Sequence, residues 1–247
     1  EWAEDIRLRH GYAMDYYLKE LYFDIEFQKY LQFTFYKQWN KLKAHVNSLG
    51  IRMIGDIPIY VAMDSADAWA NPSLFQLDEK NVPYAVAGCP PYGFSATGQL
   101  WGNPLYRWEY HRQTGYEWWL QRLSHCFKLY DAVRIDHFRG FDQYYSIPYG
   151  AETAITGHWE QGPGIDLFNR VRQVLGEKEV IAEDLGYVTD SVRKLVHDSG
   201  FPGMKVLEFA FDDTDSGCAS DYLPHKYPEN SVAYTGTHDI ETLAGWF

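Results

Sequence analysis

Acidic and histidine side chains lie where several apolar runs of this 247-residue chain come to an end. If these runs are buried strands, polar groups at one end of successive strands are hard to explain as core filling, and they indicate a site. The residues are Asp56, Asp136, His137, Glu183, Asp184, His238 and Asp239. Two carboxylates about 5–5.5 Å apart across a glycosidic bond perform retaining glycoside chemistry, in which one attacks the anomeric carbon and the other protonates the leaving oxygen.

The best-supported nucleophile is Asp136, because Arg134 lies two residues before it in AVRIDHF (132–138). On a strand, both side chains point to the same face. A neighbouring positive charge favours the ionised carboxylate, which is the form a nucleophile needs at neutral pH. The alternative is a structural ion pair at a strand end.

Glu183 and Asp184 are neighbours, so on a regular strand only one of them would reach the site. Crowding of carboxylates raises the pKa of at least one of them, and a carboxyl group kept protonated is what a general acid requires. For Asp184 the alternative is a cap on the following helix. A third anion could stabilise the positive charge of the transition state.

The pairs Asp136-His137 and His238-Asp239 could in principle bind a metal ion. The chain has no HxH or HExxH spacing, however, and hydrogen bonds from both histidines to substrate hydroxyls are the simpler interpretation. We therefore expect neither a metal nor another cofactor. A metal-dependent hydrolase is the distant alternative.

An alternation of helices and strands positions these residues. From Phe27 to Leu49 apolar residues recur at spacings of four and three, and Gly50 follows, which predicts a long helix. Further helices are predicted over 116–130, near 165–175, near 189–199 and from 241 onward. Buried strands are predicted at 51–61, 132–138, 179–186, 205–211 and 231–239.

Five strands, four of them reached through a helix, predict an α/β fold with a parallel sheet of the (β/α)₈ TIM-barrel type. In such barrels the chemistry lies at the carboxyl ends of the strands, where the polar residues fall here. Five strands are too few to close a barrel, so we expect a partial barrel over 1–247 that is cut at both ends. Residues 62–115 lack periodicity and are interpreted as an insertion or lid between barrel strands.

The composition and charge of the chain favour some classes of partner over others. The formal charge is −12, from 22 Lys plus Arg and 34 Asp plus Glu, and this disfavours nucleic acid and anionic membranes as partners. The three cysteines show no CxxC spacing, and no apolar run could span a bilayer. The chain begins without Met or a signal-like stretch, so cytoplasm is the default expectation. Abundant aromatic residues, 9 Trp, 20 Tyr and 14 Phe, suit a large core and also platforms for sugar rings.

Several motifs together resemble the amylomaltases, the 4-α-glucanotransferases of glycoside hydrolase family 77. The resemblance covers nearly all the chain from about residue 27, and the SATGQLWGNPLY stretch combined with RIDHFRG and IAEDLG is highly specific. The motifs are GDIPIYVAMDSADAWANPSLFQLD (55–78), SATGQLWGNPLYRWEYHRQTGYEWW (95–119), VRIDHFRGF (133–141), VIAEDLG (180–186), KVLEFAF (205–211) and YTGTHDIETLAGW (234–246).

The resemblance implies a function and a role for each matching residue. The enzyme would transfer α-1,4-glucan segments between maltooligosaccharides, with glucose among the acceptors, by double displacement. Asp136 would be the nucleophile, Glu183 the general acid/base and Asp239 the transition-state stabiliser. Substrate contacts would come from Arg134, His137, His238, Asp56, Gln99 and Trp101. The strands would be the third to the seventh of a (β/α)₈ barrel.

Two segments depart from the family pattern. Tyr92-Gly93 stands where the family often has Asp-Tyr, and Ile240 stands where Asn is common after the stabiliser. Residues 88–108 could form an aromatic lid that excludes water and so favours transfer over hydrolysis. The alternatives are an α-glucan hydrolase or debranching enzyme with the same site, and a truncated, non-catalytic glucan-binding fragment.

Overall fold

The computed structural model describes residues 2–92, 95–186, 188–211 and 219–246, so Gly93 and Cys218 lie outside the described residues. The helices are α1 Glu4–Arg7, α2 Gly11–Glu20, α3 Tyr22–Ser48, α4 Ala66–Ala70, α5 Trp108–Gln113, α6 Glu117–Leu129, α7 Ile165–Leu175, α8 Asp190–Ser199 and α9 Leu243–Trp246. The strands are β1 Ile54–Pro58, β2 Ala85–Cys89, β3 Gln99–Pro104, β4 Ala132–Asp136, β5 Gln143–Pro148, β6 His158–Gln161, β7 Val180–Ala182, β8 Gly203–Val206 and β9 Ser231–Tyr234.

A parallel sheet forms the centre of the chain, in the order β1-β4-β7-β8-β9. The predicted α/β organisation is confirmed: α3, α6, α7 and α8 each precede a strand of this sheet. In the part of the chain that the structure describes, β1 and β9 are its two edges and no pairing joins them. The sheet is therefore open.

The strands are shorter than predicted, and two of the differences matter for the site. The run 205–211 is only partly a strand, because β8 ends at Val206 and a 3₁₀ helix follows over Leu207–Phe211. The run 231–239 stops being a strand at Tyr234, which leaves Asp239 in a turn beyond the strand end. Apolar residues continue past the end of β8 into the 3₁₀ helix, and residues 235–239 continue the chain beyond β9 without pairing, so sequence pattern alone overestimated both strands.

Residues 62–115 carry structure that periodicity did not predict. Strands β2 and β3 pair with β5 and β6 in an antiparallel sheet of order β3-β2-β5-β6. The register of β2 and β3 shifts between Val86 and Gly88, and a Cβ at Gly88 would lie 2.2 Å from the carbonyl oxygen of Gln99. A bulge and a glycine interrupt the alternation of side chains by which such strands are recognised in a sequence.

Aromatic side chains fill the space between the two sheets and the helices. Trp119 of α6 and Phe168 of α7 are buried against the parallel sheet. The guanidinium of Arg122 lies over the Trp119 ring and donates to the carbonyls of Pro58 and Ile59, 2.7 and 2.9 Å away. It thereby satisfies backbone acceptors where β1 ends, next to the candidate site.

Helix α3 contacts the sheet layer along one side only. The indole nitrogen of Trp39 donates to the carbonyl of Leu129, and no residue of α3 is buried. The side chains of Phe23 and Phe33 are 85% and 66% exposed. Among the described residues no helix, α3 included, is both long and apolar enough to cross a membrane.

We expect Gly55→Ala to destabilise the protein. A Cβ at Gly55 would lie 2.0 Å from the ring of Tyr130, which itself packs on Trp39. The packing of β1 against the end of α6 and against α3 would therefore have to change. Overpacking of this kind costs about 1–3 kcal/mol. The measurement is the free energy of unfolding in urea. Gly11→Ala, where nothing lies within 4 Å of the added Cβ, is the matched control; equal effects of the two substitutions would contradict the packing described here.

Candidate active site

Arg134 holds two carboxylates at the carboxyl end of the parallel sheet. Asp56 and Arg134 are direct neighbours in the β1–β4 register, and Asp136 lies two residues further along β4 on the same face. Nη1 of Arg134 is 2.7 Å from Oδ2 of Asp56, and Nη2 is 2.8 Å from Oδ1 of Asp136. The Arg134 side chain is 10% exposed, whereas both carboxylates are nearly half exposed. One buried cation therefore aims two anions at solvent.

The pKa of Asp136 shifts in the direction opposite to the simplest expectation. Burial raises it, and Arg134 lowers it by a smaller amount, while the charges of Asp56 and Asp239 raise it further. The net result is a pKa above the ordinary value for Asp. The neighbouring cation is visible in the sequence, whereas the burial of the carboxylate arises only in the fold. Arg134 therefore orients the carboxylate of Asp136, but it does not bring the pKa of this group below its ordinary value.

Glu183 is positioned directly against the end of β4. It follows β7, and its backbone bonds to both sides of Asp136: its N–H donates to the carbonyl of Ile135, and its carbonyl accepts from Phe138. The Glu183 carboxylate accepts backbone N–H groups from His137 at 2.7 Å and from Leu185 at 2.9 Å. Four hydrogen bonds, two of its backbone and two of its carboxylate, thus hold Glu183 beside Asp136.

Burial raises the pKa of Glu183 to about 7, and the negative charge of Asp136 adds to the increase. The two backbone N–H donors and Arg134 oppose this shift without cancelling it. The direction is the one expected from crowded carboxylates, although burial is the larger cause. A carboxyl group with this pKa exists in both protonation states near neutral pH, as a group that alternates between acid and base requires.

Asp184 turns away from the site. Its Oδ1 accepts the backbone N–H of Met204 on β8 at 2.8 Å, and burial raises its pKa. The proposed alternative of a helix cap is wrong, because the side chain of Thr189 accepts from Val192 and caps α8 instead. Glu183 and Asp184 do face opposite ways, as neighbours at a strand end should.

His137 has a left-handed backbone, with φ 55° and ψ 47°. This conformation turns the chain sharply after β4 and aims the N–H of His137 at Glu183. Its ring packs edge-on against Trp101, with centroids 4.8 Å apart. Burial and the charge of Arg139 lower the pKa of His137 to about 3, so the ring is neutral. Its Nε2 is buried without a hydrogen-bond partner among the described residues.

Gln99 and Trp101 lie together on β3. The indole Nε1 of Trp101 donates to the side-chain oxygen of Gln99 at 2.8 Å, and the side-chain nitrogen of Gln99 donates to the hydroxyl of Tyr92. Trp101 remains 36% exposed. Both residues therefore present polar and aromatic surface beside His137, and Tyr92 supports them from a position where the sequence departs from the usual pattern.

Asp239 and His238 are the most exposed members of the predicted set. Their side chains are 66% and 73% exposed, and Nε2 of His238 is 3.5 Å from Oδ1 of Asp239. The backbone N–H of Asp239 donates to the Thr237 hydroxyl, and Ile240 donates its N–H to the carbonyl of Thr237. Asp239 makes no direct contact with the Arg134 cluster, but its charge raises the pKa of Asp136.

Two residues at the site were missed in the sequence. Met204 of β8 accepts from Nε of Arg134 through its sulfur at 3.2 Å. Tyr60 is buried beside Trp101 and His137, with ring centroids 6.2 and 6.5 Å away. Position just after the end of β1 was a signal for Tyr60. Nothing in the sequence distinguished Met204 from ordinary core.

The described residues offer no group of three or more His, Cys, Asp or Glu side chains arranged to hold a metal ion. The chemistry that the arrangement can perform is acid–base and nucleophilic. Glu183, with a pKa of about 7, lies next to Asp136, whose carboxylate is oriented by Arg134. Two carboxyl groups whose environments differ in this way can take different roles, one as an acid and base and the other as a nucleophile.

Comparison with known proteins identifies the family to which this chain is similar. The family profile described as 4-alpha-glucanotransferase, of glycoside hydrolase family 77, matches residues 1–247. The chain is 49% identical over 247 residues to the 4-alpha-glucanotransferase of Clostridium butyricum, covering 100% of this chain and 50% of that protein. With the 4-alpha-glucanotransferase of Thermus thermophilus it shares 48% identity over 248 residues, which cover 100% and 49% of the two chains.

One solved structure is similar to this chain over the whole length of the chain. The amylomaltase from Streptococcus agalactiae in complex with acarbose superposes with a TM-score of 0.94 at 44% identity, covering 100% of this chain and 50% of that one. The chain thus spans about half the length of the curated relatives it matches.

We expect the stability conferred by Glu183 to depend on pH. The native state keeps a proton that the unfolded chain releases at its ordinary pKa of 4.5, so this stabilisation is complete below pH 4.5 and is lost as the pH rises through about 7. The corresponding loss is on the order of 3 kcal/mol. Urea unfolding of the wild type and of Glu183→Gln, which cannot titrate, measures it at pH 4.5, 6 and 8. A free-energy difference that does not change with pH would contradict the raised pKa.

Proposed function

Since the chain belongs to the 4-alpha-glucanotransferase family, glycoside hydrolase family 77, we propose that the protein containing it is a 4-α-glucanotransferase. It transfers α-1,4-glucan segments between maltooligosaccharides, with glucose as one acceptor. The observation that supports this most directly is Glu183, whose pKa is raised to about 7 beside the Asp136 that Arg134 orients.

In the first half-reaction, Asp136 attacks the anomeric carbon of the donor glucan. Its carboxylate forms a bond to that carbon as the bond to the glycosidic oxygen breaks, and Glu183 gives its proton to the departing oxygen. The products are a covalent β-glucosyl enzyme, a shortened glucan with a free 4-hydroxyl, and an ionised Glu183. Burial favours the protonated Glu183 from which the cycle starts.

In the second half-reaction, the ionised Glu183 takes the proton from the 4-hydroxyl of an acceptor. The acceptor oxygen then attacks the anomeric carbon and displaces Asp136, which returns as a carboxylate. The two inversions retain the α configuration, and Glu183 is protonated again. Because Asp136 raises the pKa of Glu183, loss of the charge of Asp136 in the covalent intermediate makes Glu183 more acidic when it must stay ionised between the steps.

The remaining side chains are assigned by position. Arg134 keeps Asp136 aimed, and Asp56, which shares the same guanidinium, is placed to bind a sugar hydroxyl. The free Nε2 of His137 suits a hydrogen bond to substrate. Asp239 supplies negative charge near Asp136 for the oxocarbenium-like transition state.

The glucan is bound by exposed polar and aromatic groups around the three carboxylates. His238 lies in the exposed turn with Asp239. Gln99 and Trp101 offer an amide and an aromatic face on β3. An acceptor seated on such a surface excludes water from the anomeric carbon and favours transfer over hydrolysis. We assign this lid function to residues 88–108 within the inserted segment 62–115.

The parallel sheet is proposed to be part of a (β/α)₈ barrel, comprising about its third to seventh strands. Three observations support this: the sheet is open at β1 and β9, helices precede most of its strands, and the chemistry-bearing residues lie at the carboxyl ends. Further strands of a longer protein would pair with these edges and keep them from associating with other molecules.

Transfer is tested by incubating the full-length protein with maltotriose. We expect glucose together with a ladder of longer oligosaccharides, because each glucosyl enzyme is captured by a sugar hydroxyl. Chromatography of the products over time provides the measurement. Release of glucose and maltose alone would instead indicate the hydrolase, which uses the same first half-reaction.

We expect Asp136→Asn to reduce turnover of maltotriose on the order of a thousand-fold or more, because the amide cannot form the covalent intermediate. The variant should unfold at nearly the wild-type temperature, since the amide oxygen can still accept from Arg134. Asp190→Asn, at an exposed position in the first turn of α8, is the matched control and should keep full activity. Retained turnover in Asp136→Asn would refute the assignment of the nucleophile.

A further inference from the structure

We propose that Met204 is a positioning residue for the reaction: its thioether sulfur orients the Arg134 guanidinium that aims Asp136, and Asp184 holds Met204 in place. The inference rests on the proposed function, because its effect is expressed through the attack of Asp136. It assigns a role to a residue that touches neither substrate nor the reacting atoms.

The first observation is that Arg134 is contacted through all three of its guanidinium nitrogens. Nη1 and Nη2 bond to Asp56 and Asp136, and Nε donates to Sδ of Met204 at 3.2 Å. The guanidinium is planar, so a contact at Nε fixes the rotation about the side chain and with it the direction of both Nη groups. Both partners of the N–H···S contact are buried, with Met204 2% and Arg134 9% exposed.

The acceptor at this position is chemically unusual. The two carboxylates satisfy the Nη groups but are both directed toward solvent, so they leave Nε facing the sheet interior. A third carboxylate there would have to be buried, and its charge would compete with Asp136 for Arg134. A thioether is a weak, uncharged acceptor that adds no anion to the cluster. Met204 thus satisfies Nε and leaves the charge of Arg134 for Asp56 and Asp136.

The second observation concerns the side of Met204 that faces β7. On the other side, β8 is held in register by its pairing with β9, in which Met204 is the partner of Val232. Strands β7 and β8 pair at a single position, Ala182 with Gly203, and then separate. Beyond that point the N–H of Met204 has no strand partner, and Oδ1 of Asp184 accepts it at 2.8 Å. The carboxylate packs closely enough that a Cβ on Gly203 would lie 2.7 Å from Oδ2. Asp184 therefore takes the place of a ladder bond on the β7 side and ties the start of β8 to the end of β7.

The neighbours Glu183 and Asp184 thus contact the end of β4 in two different ways. Glu183 is bonded directly to the end of β4, whereas its neighbour Asp184 acts through Met204 and Arg134 on Asp136. A shift of β8 would rotate the guanidinium and misdirect Asp136 without touching Glu183. Loss of the sulfur should therefore impair the attack step more than substrate binding.

The test compares Met204→Leu, which removes the acceptor but keeps an apolar side chain, with Met204→Gln, which restores a neutral acceptor. In the full-length protein with maltotriose, we expect Met204→Leu to lower kcat about tenfold with KM changed less than twofold. The acid limb of the pH profile should move to higher pH, because a loosened Arg134 opposes protonation of Asp136 less. Met204→Gln should recover most of the lost kcat.

Two controls separate positioning from packing. Met14→Leu, a half-buried methionine on α2, should leave kcat, the pH profile and the unfolding temperature unchanged. Asp184→Asn keeps an acceptor for the Met204 N–H and should stay near wild type, whereas Asp184→Ala should resemble Met204→Leu. If both act through one contact, Asp184→Ala combined with Met204→Leu should lower kcat no further than the worse single variant.

The proposal is overturned if Met204→Leu leaves kcat and the acid limb unchanged. It is also overturned if kcat falls only in proportion to the folded fraction and Met204→Gln fails to restore it, which would indicate packing alone. If the wild-type protein transfers no glucan, the proposed function fails, and the contact is then tested by unfolding. A double-mutant cycle of Met204→Leu with Arg134→Lys should show coupling, and strict additivity would refute the contact.

Discussion

A buried arginine shared by two carboxylates on adjacent strands is the constraint on which the site depends. Arg134 can bond to Asp56 and Asp136 together only if β1 and β4 keep their register, because a slip by one residue would turn Asp56 to the other face of the sheet. Several features away from the chemistry preserve that register. Arg122 caps the carbonyls at the end of β1, and Gly55 leaves room for the ring of Tyr130. A cation removed from water also makes any misalignment costly.

The second carboxyl group is held in place by hydrogen bonds from the backbone. Glu183 accepts the N–H of Leu185 and the N–H of His137, which lies in the turn after β4 and adopts a left-handed conformation. The two carboxyl groups consequently differ in environment, although both are partly buried. Glu183 has a pKa of about 7, while Asp136 keeps an arginine as its direct partner. A proton donor and an oriented carboxylate can therefore coexist side by side.

The antiparallel sheet contributes aromatic and amide side chains next to the carboxylates of the parallel sheet. The carboxyl ends of β1, β4 and β7 provide anions, whereas aromatic and amide groups come from β3, whose Trp101 packs edge-on against His137. The large aromatic cluster around Trp119 joins the two sheets, so Gln99 and Trp101 and the turn after β4 are supported by one hydrophobic core. The aromatic and amide groups of β3 thus reach the turn that follows β4, beside the carboxylates.

Local sequence determined the features that depend on spacing: the long helix ending before Gly50, the order of helices and strands, the pairing of Arg134 with Asp136 on one face, and the divergence of Glu183 from Asp184. These follow from the periods of helix and strand, which act over a few residues. Resemblance of motifs then identified the family. Only the tertiary structure decided that burial outweighs Arg134 in setting the pKa of Asp136 and that Asp239 lies in a turn beyond β9. It also decided that Met204 of β8 contacts Arg134 and is itself bonded to Asp184. Burial and contacts between distant strands depend on how the elements pack, and no local pattern in the chain encodes them.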